Sequence, residues 1–65
     1  MSHFIHIQLM SYQDLLRPWV VYRRLPNLQR QQMARFRRRN HAEEYVKAAR
    51  RLLPEATFEI VYESY

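Results

Sequence analysis

The sequence predicts an α+β domain in which one helix covers a small antiparallel sheet, with the element order β-β-β-α-β. One apolar stripe recurs at helical spacing between residues 40 and 53. Segments rich in β-branched and aromatic residues flank that stripe on both sides. A helix with a single apolar stripe is buried most economically against one sheet. All 65 residues are assigned to a single domain, 1–65, because so short a chain cannot supply two hydrophobic cores.

The N-terminal segment is predicted to form the first strand over residues 4–10, where apolar and polar residues alternate loosely. A helical turn or a docking segment is the alternative for residues 4–16. Pro18 limits any helix over residues 12–16 to about one turn, because proline disrupts the hydrogen bonding of a helix interior.

An antiparallel hairpin is predicted next, with strands over residues 19–24 and 31–38. The turn between them contains Pro26, which fixes its own φ angle, followed by Asn27. The chain contains no glycine. Asn27 is therefore the residue expected to accept a left-handed backbone conformation in the turn.

The helix is predicted to start at Asn40, with Asn40 as its N-cap and Glu43 completing a capping box. Glu43 and Glu44 are expected in its first turn, where acidic side chains complement the helix dipole, and Pro54 is expected to end it. The last strand is predicted over residues 57–63. The apolar stripe comprises Ala42, Tyr45, Val46, Ala49, Leu52 and Leu53.

Strand alternation assigns the side chains of the predicted sheet to two faces, because successive residues of a strand point to opposite sides. The set expected beneath the helix is Val20, Tyr22, Ala34, Phe36, Phe58 and Ile60. The set expected on the outer face is Trp19, Val21, Arg23, Met33, Arg35, Arg37, Glu59, Val61 and Glu63.

The charge pattern predicts a polyanionic partner. The net charge is +5, and residues 17–39 contain arginines but no acidic residue. Arginine is favoured where phosphate or carboxylate is recognised by two parallel hydrogen bonds. The leading hypothesis is a non-enzymatic module that binds nucleic acid through the hairpin; the alternative is a solvated face in which Glu59 and Glu63 pair with Arg35 or Arg37. The candidate binding residues are Trp19, Arg23, Arg24, Arg30, Arg35, Arg37, Arg38 and Arg39.

Trp19 leaves two functions open. A large aromatic beside arginines on a sheet can stack the bases of a single strand, but it can equally anchor a protein interface. The second function considered is therefore a small adaptor or regulatory subunit that docks on a larger protein complex. That subunit could meet an acidic protein surface, or form a homodimer through the outer sheet face. A purely structural role, with Trp19 half-buried against the N-terminal segment, is the third interpretation.

Catalytic and metal chemistry have little support in the sequence. The chain has no cysteine, and its serines have no evident base and orienting acid. His3 and His6 would lie on opposite sides of a strand. We therefore expect no catalytic residue, metal or cofactor. We also expect a cytoplasmic location, because the sequence shows neither a signal peptide nor the roughly 20 apolar residues of a membrane span.

The stretch Arg35–Tyr45, in which a strand ends at an aromatic residue and a basic turn leads into a helix, resembles a junction found in known DNA-binding domains. Those domains are the arm-type domains of phage and transposon integrases and the plant AP2-type domains. The resemblance implies a three-stranded sheet that lies against a helix and reads DNA. This chain departs from them in having a strand after the helix and no hairpin glycine. A longer layout, from Pro18 to Val61, resembles short cyanobacterial proteins of unassigned function, which implies a free-standing cytoplasmic protein.

Overall fold

The computed structural model describes residues 12–64, in which a three-stranded antiparallel sheet carries one long helix on one face. This arrangement confirms the predicted α+β class. The predicted strand over residues 4–10 lies outside the described residues. The elements in chain order are α1 (Tyr12–Leu15), β1 (Trp19–Arg24), β2 (Arg30–Phe36), α2 (Arg39–Leu52) and β3 (Thr57–Tyr62).

The strand order is β2-β1-β3, so β1 is the central strand. β2 and β3 both run antiparallel to β1 and are therefore parallel to each other. Such a pair needs a long crossover, and α2 supplies it by carrying the chain across one face of the sheet. α2 ends at Leu52, two residues before Pro54, as predicted.

The core lies between α2 and the sheet. Its buried members are Val21 on β1, Ala42 and Val46 on α2, and Phe58 on β3. The partly buried side chains packed against them are Trp19, Met33, Phe36, Tyr45, Ala49, Ala56 and Ile60. The predictions that Phe36, Phe58 and Ile60 lie beneath the helix are therefore confirmed.

The predicted faces of β1 were wrong. Trp19 and Val21 pack on the helix side, which places Val20 and Tyr22 on the outer face. The reason is that both faces of the central strand are covered: Val20 and Val21 are each 0% exposed. A strand buried on both sides does not alternate between polar and apolar residues, so its sequence cannot fix its orientation.

Two more residues predicted on the outer face lie elsewhere. Arg23 pairs with Phe58 and shares its helix side. Met33 packs against the core because β2 contains a bulge opposite Val21 and Tyr22, where the register shifts. A bulge adds one residue to a strand and reverses the alternation locally.

The predicted start of the helix was also wrong. α2 begins at Arg39, its N-cap residue is the extended Arg38, and no side chain caps it. The pair Arg39–Glu43, at 3.1 Å and four residues apart, stabilises this first turn instead. Neither Glu43 nor Glu44 lies in the first turn. Leu52 is 81% exposed, because a rotation of about 100° per residue leaves it at the margin of the apolar stripe.

The hairpin turn places two consecutive residues in the left-handed region. Asn27 has φ 64° and Leu28 has φ 62°. Asn27 was expected there, whereas Leu28 was not. The turn is closed by the Leu25 N–H, which donates to the Gln29 carbonyl at 2.8 Å. A leucine in this conformation costs about 1–2 kcal/mol, because its Cβ lies close to the following carbonyl.

We expect Leu28→Asn to raise the free energy of unfolding by about 0.5–1 kcal/mol, because asparagine tolerates this conformation better. The Leu28 side chain is 95% exposed, so its removal costs no packing. Leu28→Ala is the matched control, since it keeps the Cβ and should bring no gain. Denaturant midpoints measure both. An equal gain from alanine would show that exposure of the leucine, and not its backbone conformation, is the unfavourable feature.

Candidate functional site

Two of the predicted binding arginines are engaged within the chain, on the outer face of the sheet. Arg24 pairs with Glu59 at 2.9 Å, and Arg30 pairs with the other oxygen of the same carboxylate at 3.2 Å. The Arg30 guanidinium also lies over the Tyr22 ring, 3.9 Å from its centre, in a cation–π contact. The two guanidinium groups therefore share the Glu59 carboxylate, and Glu63 lies 4.0 Å from Arg30.

Arg35 is the third arginine of this face and is held most tightly. Its side chain is 7% exposed and lies 3.5 Å from Glu63 and 3.9 Å from Asp14. Its Nε donates to the Arg17 carbonyl at 3.0 Å, and Nη2 donates to the Asp14 carbonyl at 3.4 Å. Arg35 thus fastens the segment before β1 to the sheet, and little of it is accessible to a ligand. The predicted cross-strand pair between Glu63 and Arg35 is present.

Tyr22 belongs to the same network, because its hydroxyl donates to the Glu63 carboxylate. Burial raises the pKa of Tyr22 above its ordinary value of 10.0, and the hydrogen bond and negative charge of Glu63 raise it further. The folded protein therefore holds this proton more tightly than the unfolded chain does.

Because the folded pKa is the higher one, Tyr22 contributes stability that is complete below pH 10.0 and is lost as the pH rises through the folded pKa. We expect Tyr22→Phe to flatten the alkaline decline of the free energy of unfolding. Denaturant midpoints from neutral pH to about pH 11 measure it. The matched control, Tyr12→Phe, changes a tyrosine that is 72% exposed and should preserve the decline. An unchanged decline in the Tyr22 variant would contradict the role of this hydroxyl.

The excess positive charge lies on residues outside these pairs. Five cationic side chains, Arg24, Arg30, Arg35, Arg39 and Lys47, pair with the five carboxylates of Asp14, Glu43, Glu44, Glu59 and Glu63. Within residues 12–64, no ion pair is formed by Arg17, Arg23, Arg37, Arg38, Arg50, Arg51 or Glu55. The charges of these last seven residues sum to the net charge of +5.

The unpaired arginines are divided between the two ends of the sheet. At one end Trp19 pairs with Phe36 and with Tyr62. Arg37 and Arg38 follow Phe36 directly, outside β2, which ends two residues before its predicted limit. Arg17 lies two residues before Trp19. We call Arg17, Arg37, Arg38, Trp19 and Tyr62 the basic end.

The opposite end of the sheet carries the other unpaired arginines. Arg23 lies near the end of β1, beside Leu53 and Pro54, which follow α2. Arg50 and Arg51 lie in the last turn of the helix. The eight residues predicted as one binding surface are thus distributed over the outer face, the basic end, the opposite end and, for Arg39, the first turn of α2.

An aromatic pair distinguishes the basic end. The rings of Trp19 and Tyr62 lie 4.8 Å apart between centres, at 60°. Trp19 packs against the core, whereas Tyr62 is 57% exposed. The Arg39 guanidinium lies 5.7 Å from the centre of the Trp19 ring. The sequence placed the Trp19 ring on the outer face, or half-buried against the N-terminal segment, and did not single out Tyr62, because the pairing that joins the two rings depends on strand register.

The basic end can attract an anion and offer it a ring surface. The start of α2 lies there without a side-chain cap, so the positive end of its dipole adds to the arginine charges. In the part of the chain from Tyr12 to Ser64, no three His, Asp or Glu side chains are grouped as metal ligands, and no helix could cross a membrane. Comparisons of the chain with protein-family models, curated proteins and solved structures found no match.

Proposed function

We propose that the protein binds nucleic acid, with a preference for single strands, through the basic end. The observation that carries this proposal is that Arg37 and Arg38, which form no ion pair within residues 12–64, lie at the same end of the sheet as the exposed Tyr62 ring. Proteins that bind single strands combine cationic side chains for the phosphates with aromatic rings for the bases. The basic end has both, with Trp19 supporting Tyr62 from the core side.

The outer face is a poorer candidate for the same function. Its arginines are already paired with Glu59, Glu63 and Asp14. A phosphate would have to displace a carboxylate from each of them, and the displaced carboxylate would then repel the ligand. The proposed ligand, nucleic acid, is therefore the one predicted from the sequence. The proposed binding site is different: it lies at the junction between β2 and α2 and not on the face of the hairpin.

The first test compares two double variants, each of which removes two positive charges from one end of the sheet. Arg37→Gln/Arg38→Gln is expected to weaken binding of a fluorescent single-stranded oligonucleotide about tenfold or more, because two charge-assisted phosphate contacts are lost. The matched control, Arg23→Gln/Arg51→Gln, removes two unpaired charges from the opposite end and should change affinity by less than about threefold. Fluorescence anisotropy measures both. Equal weakening would contradict the basic end as the binding site.

A second test concerns the Tyr62 ring. Tyr62→Leu is expected to weaken single-strand binding by about 1–3 kcal/mol while duplex binding changes little, because only unpaired bases can stack on the ring. If no oligonucleotide binds the wild-type protein, the proposal is wrong. An acidic protein surface would then be the better partner for the same arginines, as in the adaptor hypothesis.

A further inference from the structure

β3 forms one edge of the sheet, and its outward backbone groups are free of strand pairing within residues 12–64. The Glu63 N–H donates to the Pro18 carbonyl at 2.8 Å, and the register between β1 and β3 is unbroken. Hydrogen-bonded and non-bonded residues alternate along an antiparallel pair. Phe58, Ile60 and Tyr62 therefore turn their backbone N–H and C=O groups away from β1.

The two edges of the sheet differ in how they are protected. β2 contains the bulge opposite Val21 and Tyr22, and its first three residues, 30–32, are polar and exposed. Bulges and charged edge residues discourage pairing with another strand. β3 has no bulge, no proline and no lysine, and its one charged residue, Glu59, is paired with Arg24 and Arg30. It is the edge that can accept a further strand.

An open groove runs beside this edge, between α2 and β3. Tyr45 on the other side of α2 contacts Phe36 of β2, with 5.5 Å between ring centres. On the side of α2 that faces the groove, side chains fill the space only partly, and Ile60 is partly exposed. The floor of the groove is apolar and its rim along α2 is charged. The residues that line it are Glu43, Val46, Lys47, Arg50, Phe58 and Ile60.

We propose that a second copy of this chain occupies the edge and the groove, with β3 paired to β3 in a two-fold symmetric dimer. An edge strand that pairs with its own copy about a two-fold axis is necessarily antiparallel. The two α2 helices then also run antiparallel. Glu43 and Arg50 lie two turns apart on the same rim. In this dimer, Glu43 of each copy faces Arg50 of the other copy across the axis.

The charges of the rim fit this occupant. Arg50 forms no ion pair within residues 12–64, so it is available to a carboxylate of the second copy. Glu43 would share its exposed carboxylate between that Arg50 and Arg39, its partner at 3.1 Å in the same chain. Adjacent strands are about 4.8 Å apart, so the two β1 strands would lie about 14 Å apart with both β3 strands between them. Glutamate and arginine side chains reaching towards each other can bridge a gap of that order, so the helices need not touch.

The size of the core supports a partner of this kind. Within residues 12–64 the buried apolar side chains are few: Val20, Val21, Ala42, Val46 and Phe58. Small domains without disulfides or metals often gain their missing apolar burial by oligomerisation. Pairing of β3 would cover Ile60 and continue the sheet to six strands. Tyr62 belongs to both β3 and the basic end, whereas Arg37 and Arg38 lie outside β3. The variant Arg37→Gln/Arg38→Gln therefore tests nucleic-acid binding without changing the proposed dimer contacts.

The test measures the mass of the full chain in solution by sedimentation equilibrium. The wild-type protein is expected to show twice the chain mass of 8.1 kDa at high concentration. Glu43→Arg and Arg50→Glu should each weaken association about tenfold or more by placing like charges together. The double variant Glu43→Arg/Arg50→Glu should restore it to within about threefold of wild type, because the charges are then exchanged.

The matched control is Glu44→Arg/Arg51→Glu, which exchanges charges on an exposed part of the same helix and should leave association unchanged. A constant mass of 8.1 kDa at all concentrations would overturn the proposal. A dimer that responds to none of the Glu43 and Arg50 variants would overturn this interface. Circular dichroism of each variant verifies that the fold is retained.

Discussion

Replacing Phe58 with alanine is expected to unfold most of the protein. The Phe58 ring is 6% exposed and packs with Val21, Ala42 and Val46, which are the other members of the buried core cluster. Truncation of a buried phenylalanine costs about 3–5 kcal/mol. A core of this size supplies a total stability of about the same magnitude. Circular dichroism melting should therefore show a lost or strongly lowered transition.

The control for this prediction is Leu52→Ala, which removes apolar carbon from a side chain that is 81% exposed. Its free energy of unfolding should stay within about 0.5 kcal/mol of wild type. Trp19→Ala should also be destabilising, because Trp19 packs on the helix side. If Phe58→Ala melted like the wild type, the placement of the Phe58 side chain in the core between β3 and α2 would be wrong.

Replacing Arg35 with methionine is expected to lower the free energy of unfolding by about 2–3 kcal/mol. The variant keeps the apolar stem but removes the guanidinium from Glu63, which retains only the Tyr22 hydroxyl as a hydrogen-bond donor, and from the carbonyls of Asp14 and Arg17. Removing one partner of a buried ion pair costs about 3–5 kcal/mol. We expect the smaller loss of about 2–3 kcal/mol for Arg35→Met because the Glu63 and Asp14 side chains are 22% and 37% exposed, so water screens their charges.

The matched control is Arg37→Met, two residues further along the chain. Arg37 is exposed and forms no ion pair within residues 12–64, so this substitution should change stability by no more than about 0.5 kcal/mol. Denaturant midpoints for the two variants provide the comparison. Similar losses from both would show that total charge, and not the contacts of Arg35, governs stability.

The strands and helix could be predicted from the sequence because their local signals agree with their environments. α2 has one apolar stripe because one face is covered, and β3 alternates because its two faces differ. The position of β1 in the sequence was predicted correctly, but its side chains were assigned to the wrong faces of the sheet, because both faces of β1 are buried. The bulge at Met33 depends on how β2 pairs with β1, and no local pattern indicates it.

Only the chemistry of the proposed binding surface could be predicted from the sequence. The arginine excess is a property of composition, but which arginines are neutralised depends on contacts between distant parts of the chain. Arg35 and Glu63 meet across the sheet, and Arg30 reaches Glu59 from another strand. The exposed Tyr62 ring gains its partner Trp19 only through the register of β1 and β3. Without that register, the sequence does not distinguish the arginines that are paired within the chain from those that are not.

The salt dependence of oligonucleotide binding tests the proposed function most directly. If Arg17, Arg37 and Arg38 each neutralise one phosphate of a single strand, log K should fall with log salt at a slope of about −2. Affinity then drops about 20-fold between about 50 and 200 mM salt. Arg37→Gln/Arg38→Gln should reduce the slope to about −0.7 and the drop to about threefold, while Arg23→Gln/Arg51→Gln keeps the wild-type slope. A flat dependence in the wild type, or the same slope in both double variants, would contradict binding at the basic end.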